Sequence, residues 1–408
     1  MLERISLTAF LCLGLALSGC ASTDSCCGDS CTDTCSPSAE AAAPSRLDGL
    51  EAEMAGVAQK RAWSGQYLNG GTCVNAWVCG TDLYLESRRG SESEIVAVDA
   101  KDGTYKWVAS LGANPTREAP RAGDRFVVFL TANDGGMIVL DRNTGARPYS
   151  MRASLGVATA APAVSSDTTV YVTGLASNQV VAVSPADANV GWRFRAGSPL
   201  VAGPVTTPRL PRRLVIAGCA DGTVFAVPAA GWNESGPTNA SWSRKLLGAV
   251  NEDPCVAEYT DGARKGVMVI VPASDNGLHG LEATSGTVRW SVRRESPFAG
   301  EPFACNGRVF ARCSDRMVVA DIATGKEPWS ASDANAAPKG FELATKAFAS
   351  DANRAYLGAG DNTVMRVDGR SGAVMATKTL SSFCCVIPGG DSNLLIGVTK
   401  DGHVVAMR

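Results

Sequence analysis

One unit recurs along this chain: an apolar strand, a turn rich in Asp and Gly, a second apolar strand ending in an acid, a Gly turn, and then an aromatic. The acid precedes the aromatic by eight residues in Asp99 to Trp107, Glu282 to Trp290 and Asp321 to Trp329. Asp141 to Tyr149 and Ser184 to Trp192 keep that spacing with one substituted residue each. In the fourth copy Pro228 replaces the acid, and an insertion around Gly231 to Pro237 delays the aromatic to Trp242. A degenerate seventh copy runs from Asp368 to Ala376. From Trp63 to Ala376, successive marker positions lie 39 to 50 residues apart. Such a period means a solenoid or a propeller, and four short strands per unit select the propeller.

The phase of the repeat predicts how the ring closes. The final copy, Asn393 to Arg408, stops where its next acid is due and lacks a last strand, whereas Trp63 stands 44 residues before Trp107 with no complete unit in front of it. A strand around Trp63 therefore completes the last sheet and removes the open edge between first and last blades. Seven internal copies and one shared copy predict an all-β, eight-bladed β-propeller over residues 61–408.

Composition agrees with this reading. At 45% hydrophobic and 19% charged, the 408 residues can bury a large core, and 43 glycines suit a protein full of tight turns. Length alone suggests two or three domains, but blades that bury their faces only against neighbours make one ring. A net charge of −2 supplies no electrostatic footprint for nucleic acid.

The N-terminus reads as a targeting signal over residues 1–19. Arg4 precedes an apolar run from Ile5 to Leu17 that is too short to span a bilayer. Leu17-Ser18-Gly19-Cys20 resembles the bacterial lipobox, which predicts lipid attachment at Cys20; Ala21 after it favours the outer membrane by the same resemblance. Residues 20–46 are rich in Cys, Ser, Thr, Asp and Pro and predict a flexible tether. A short helical segment follows over 47–60, with Leu47, Leu50, Met54 and Val57 on one side, packing on the propeller's rim.

The repeating Asp and aromatic positions, Trp63, Trp107, Tyr149, Trp192, Trp242, Trp290 and Trp329, have structural work to do. Asp satisfies backbone donors in the turn, and Trp buries a large area between sheets. Ala97-Val98-Asp99, Gly103 and Trp107, repeated as Ala320-Asp321, Thr324-Gly325-Lys326 and Trp329, resemble the tryptophan-docking repeat of quinoprotein-type (PQQ-like) propellers. That family holds pyrroloquinoline quinone (PQQ) dehydrogenases and non-enzymatic BamB-like lipoproteins of the outer-membrane β-barrel assembly machine. The resemblance covers residues 61–408 and implies fold more than activity. It leads to the expectation of a lipid-anchored cell-envelope scaffold that holds another envelope protein, in the concrete version a β-barrel assembly component, and that is not an enzyme. The alternative is a PQQ-dependent dehydrogenase or small-molecule sensor using the central channel.

Cysteine and histidine usage bears on that choice. Of fourteen cysteines, Cys12 leaves with the signal and Cys20 takes lipid; the even remainder allows full pairing in an exported protein. The Asn306-Gly307 hairpin puts Cys305 opposite Arg308, so Cys313 lies roughly 17 Å away and cannot pair with it. Cys73 and Cys384 open inner strands of blades one and eight, so a bridge from Cys73 to Cys384 or Cys385 would reinforce closure. Cys26, Cys27, Cys31 and Cys35 depart from structural-zinc spacing, and no metal site is assigned. The adjacent pair Cys384-Cys385 resembles the vicinal disulfide of some PQQ dehydrogenases, but those enzymes are longer and carry an acid cluster for calcium. This chain has no insertion long enough for such a funnel, and His279 and His403 read as packing or solvated residues. No cofactor, nucleophile–base pair or phosphate-cradling loop is assigned.

Overall fold

The computed structural model describes residues 46–58, 60–113, 115–116, 119–131, 137–148, 162–165, 169–174, 178–187, 189–208, 212–314, 316–328, 344–350, 354–359, 362–389 and 394–408. Residues 1–19 expected as a signal, Cys20, the cysteines of the expected tether, Tyr149 and Trp329 lie outside them. The strands form eight antiparallel sheets in chain order, each a meander. Blade one comprises Thr72–Cys79, Asp82–Arg89, Glu92–Asp99 and Tyr105–Gly112. Blades two and six have three described strands each.

Closure follows the phase of the repeat. Blade eight consists of Cys385–Pro388, Leu395–Val398 and His403–Met407, and its fourth strand is Arg61–Gln66 from the other end of the chain. Trp63 stands opposite Ala406 and Gln66 opposite His403. Lys60 and Arg408 exchange backbone hydrogen bonds at 3.1 and 2.8 Å, so the ladder runs to the last residue.

Each blade is sandwiched between two others, which explains why the middle strands read as unbroken apolar runs rather than as alternating ones. In Arg264–Ala273, Val267, Val269 and Val271 face blade four while Met268 and Ile270 face blade six. The same partition gives one apolar seam between every pair of consecutive sheets, blade eight against blade one included. Helix Arg46–Met54 enters the seam between blades seven and eight. It buries Leu50 and Met54, and the turn after it buries Val57 and Ala58, against Phe383, Val386 and Met407. The helix thus packs its buried side into the seam between two blades. No helix among the described residues is long and apolar enough to cross a membrane.

The repeated acid and Gly build one turn many times. The backbone N–H groups of Gly103, Gly145, Gly325 and Gly372 donate to the carbonyls of Asp99, Asp141, Asp321 and Asp368 at 2.8 to 2.9 Å. The Asp carboxylates accept backbone N–H groups within the turn, as from Thr324 to Asp321 at 2.9 Å. The turn is also a platform. Trp107 of blade one lies on Gly145 of blade two and donates Nε1–H to Arg142 O at 2.7 Å. Trp242 meets Gly286 and Ala283 O at 2.8 Å, and Trp290 meets Gly325 and Ile322 O at 2.8 Å. Trp63 repeats the contact across the closure, on Gly103 and Ala100 O. The insertion in blade four supplies a substitute: Trp192 packs on Gly236 and donates to the carbonyls of Ala230 and Gly231, both at 3.2 Å. A register shift just before Trp107, Trp192 and Trp290 turns the outer strand so that the indole reaches the next blade.

Candidate functional site

The first strand of each blade begins where the chain crosses from the previous outer strand, and in five blades a proline opens it: Pro120, Pro162, Pro204, Pro254 and Pro302. Proline has no N–H to leave unpaired and suits a strand start. The residues after it are mostly small or apolar, so these strands can crowd around the axis. Residues of blades two to six, including Ala163, Val205, Val256 and Phe303, line a cavity of about 450 Å³.

Arg121 and Glu301 bring charge into that lining, and Asp253 stands beside them. Arg121 of blade two donates from Nη2 to Glu301 Oε2 of blade six at 2.7 Å. In a ring of eight these blades stand opposite each other, so the pair spans the channel and bounds the cavity on one side. Asp253 of blade five lies 3.8 Å from the same guanidinium, and its other carboxylate oxygen accepts Gly203 N–H of blade four at 2.6 Å. Burial works against the Arg121 cation, but the Glu301 charge, its hydrogen bond and the Asp253 charge outweigh that and hold its pKa above the ordinary value. Beneath it Cys79 donates to Pro120 O at 3.0 Å, its thiol pushed up to about 11 by burial. With Cys79 of blade one and Gly203 of blade four included, the cluster joins five blades. Sequence reasoning missed it; the only local signal was a charged residue beside a strand-opening proline, in Pro120-Arg121, Asp253-Pro254 and Glu301-Pro302.

The residues singled out from sequence are brought together selectively. Cys73, Cys384 and Cys385 do meet, at the seam of blades one and eight, with both neighbours in hydrogen-bonding reach of the Cys73 thiol. Trp63, Trp107, Trp192, Trp242 and Trp290 are distributed one per seam, as packing residues are. His279 is buried in blade five, where Nδ1 meets Ser291 Oγ at 2.8 Å and Nε2 meets Asp275 Oδ1 at 3.1 Å. Arg293 holds the second oxygen of Asp275 at 3.0 Å. His403 lies in blade eight beside Asp401, at 3.3 Å. Neither histidine borders the channel cavity. Among the described residues, no three His, Cys, Asp or Glu side chains form a metal-holding group.

The described residues beside the cavity do not fit calcium and a charged quinone. Among them Asp253 and Glu301 are the acids that converge, and a guanidinium already occupies the space between them. An eight-bladed ring closed by its N-terminal strand, with each indole docked on the next blade's turn, defines a tryptophan-docked propeller. A family profile described as outer membrane protein assembly factor BamB matches residues 91–259 and 241–383. The chain therefore belongs to this BamB family of PQQ-like propellers. No curated protein matches the sequence.

Among solved structures, BamB from Moraxella catarrhalis is similar with a TM-score of 0.59 at 16% identity, covering 86% of this chain and 97% of that one. The computationally designed Ika8 protein gives 0.56 at 18% identity, over 84% and 99%. Quinohemoprotein alcohol dehydrogenase from Comamonas testosteroni gives 0.58 at 12% identity, over 87% and 77%. At these identities the likeness establishes the fold, which an assembly factor, a designed protein and a dehydrogenase all share.

Proposed function

We propose that this chain is a lipid-anchored scaffold of the cell envelope, held by an acylated Cys20 at the periplasmic face of the outer membrane, and that it binds a component of β-barrel assembly. The observation that carries the choice against dehydrogenase chemistry is the Arg121 bridge. A dehydrogenase using the channel needs its convergent acids open to a cation, whereas here Asp253 and Glu301 are engaged by an arginine from the opposite side of the ring. The family match supports the assembly role, and the lipobox-like Leu17-Ser18-Gly19-Cys20 supports the anchor. Stable anchoring is consistent with lipoprotein acylation, since several chains at about 0.8 kcal/mol per buried CH₂ exceed what one reversible anchor supplies.

Two measurements test this reading. Affinity purification of the tagged full-length protein from detergent-solubilised envelope should recover an outer-membrane barrel-assembly protein at a fixed ratio, and recovery of none opposes the scaffold. A thermal-shift titration with PQQ and Ca²⁺ should leave the melting temperature unchanged. A ligand that binds only the folded state at 100 times its dissociation constant adds about 2.7 kcal/mol, so a saturable rise would put the dehydrogenase first.

A further inference from the structure

Blades one and eight are held together by strand pairing and indole docking, and three thiols meet at the same seam. Cys73 is buried at the start of blade one, and its N–H donates to Lys400 O in the blade-eight hairpin at 2.7 Å. Cys384 is tied to that hairpin too: its N–H and its Sγ both donate to Val398 O, at 2.8 and 3.3 Å. Cys385 is the strand residue opposite Val398. Alternation along Cys385–Pro388 sends Val386 into the blade-seven seam and Cys385 and Ile387 toward blade one. Cys384, just before the strand, packs into the same blade-one seam. The Cys73 thiol thus lies in hydrogen-bonding reach of both neighbours at once.

We propose that Cys73 is the fixed half of a disulfide that staples blade one to blade eight, and that Cys384 and Cys385 are alternative partners for it. Oxidation removes one hydrogen from Cys73 and one from its partner; two electrons and two protons pass to a disulfide oxidant, which leaves as two thiols. The third cysteine then sits beside the new bond as a thiol. Its thiolate can attack the Cys73 sulfur and release the first partner, which exchanges one staple for the other with blades still joined. In the reduced protein donation of its S–H toward the neighbouring thiols and burial hold Cys73 protonated; once the bond has formed, exchange depends on the thiolate of the third cysteine and quickens as pH rises. A staple between positions this far apart removes much of the freedom of the unfolded chain. The compartment in which it forms depends on the export reading above, but the chemistry does not, so it can be tested apart from localisation.

Reduced, folded full-length protein is incubated with oxidised glutathione, quenched with iodoacetamide, digested without reductant and mapped by mass spectrometry. Peptides linking Cys73 to Cys384 and to Cys385 are expected, with a melting temperature about 5 °C or more above that of the reduced protein. Cys384→Ser and Cys385→Ser should each still form a bond to Cys73, whereas Cys73→Ser should form no bond between the two blades. Wild-type protein with all three cysteines alkylated, or with Cys384 bonded to Cys385 and Cys73 alkylated, overturns the proposal. That wild-type result decides the matter even if a variant fails to fold.

Discussion

The indole of Trp63 rests on Gly103 in the neighbouring blade and donates Nε1–H to Ala100 O at 3.1 Å. Gly103 has φ of 79°, and a Cβ there would stand 2.7 Å from Trp63 Cε3. Gly90 has φ of 63° in a hairpin with open space around it. Both Gly→Ala substitutions carry the left-handed penalty of about 1–2 kcal/mol, and only Gly103→Ala also disturbs the docked ring. Its destabilisation, read from denaturant unfolding, should exceed that of Gly90→Ala by about 1–3 kcal/mol. Equal effects would mean that the indole contact adds nothing to closure.

Truncation separates the tether from the ring. Residues 21–45 hold almost no large apolar residue and read from sequence as a tether, so their deletion should leave the melting temperature within a degree or two. Deletion of residues 21–70 removes the helix from the seam of blades seven and eight, the Trp63 strand, and the cover of a sheet edge. A fall of more than about 10 °C, or loss to aggregates, is expected. Similar tolerance of both deletions would contradict the assignment of Trp63 to blade eight.

Asp82 predicts the acid limb of stability. Its side chain is 2% exposed and accepts from Lys106, from Tyr84 at 3.0 Å, and from Arg142 of blade two at 2.7 and 2.8 Å. Burial raises its pKa, but the hydrogen bonds and charges of Lys106 and Arg142 outweigh burial and leave it lowered. A depressed folded-state pKa gives stability that is present above the unfolded value near 3.9 and is lost as pH falls toward the folded value. Asp82→Asn should flatten stability against pH below about 4 and, by removing the carboxylate shared by the part-buried Lys106 and Arg142, cost about 1–3 kcal/mol at pH 7. Urea midpoints across pH 3 to 7 check both.

Arg121→Ala leaves Asp253 and Glu301 without their shared counter-charge. Because these side chains keep a fifth to two fifths of their surface in solvent, the loss at neutral pH should stay within about 1–2 kcal/mol. The variant's melting temperature should rise with added Ca²⁺, while that of wild type stays flat. Parallel responses would show that the guanidinium does not stand where a cation could.

Cys20→Ser tests the anchor. The variant should accumulate unprocessed or appear in the soluble fraction, and intact-mass analysis of wild-type protein should show a modified Cys20. An unmodified mature Cys20 would remove the membrane from the proposed function.

The fold was legible because its signal is local and repeated. The eight-residue step from Asp99 to Trp107 needs only one hairpin to be recognised, and missing strands at the two chain ends exposed the closure. Even Trp192, whose partner turn lost its acid at Pro228, kept its phase. The docking of each indole on the next blade's glycine was less visible, since Gly103 and Gly145 read first as turn residues. The channel cluster was not legible. Arg121 and Glu301 are 180 residues apart and meet only because an eightfold ring sets blades two and six face to face. No window of sequence contains that relation. The meeting of Cys73 with Cys384 and Cys385 could be anticipated because closure itself makes their blades neighbours.

A last sheet completed by the first strand fixes an order of events during synthesis. Arg61–Gln66 emerges well before the strand it pairs with, His403–Met407. Until that strand is made the early segment has no ladder partner, and blades that fold from the N-terminus onward leave it waiting. Its indole, however, has an early berth: Gly103 and Ala100 belong to the first complete blade. Docked there, Trp63 would hold the waiting strand at the place where the final blade must arrive, so that the end of the chain finds a template instead of searching for one.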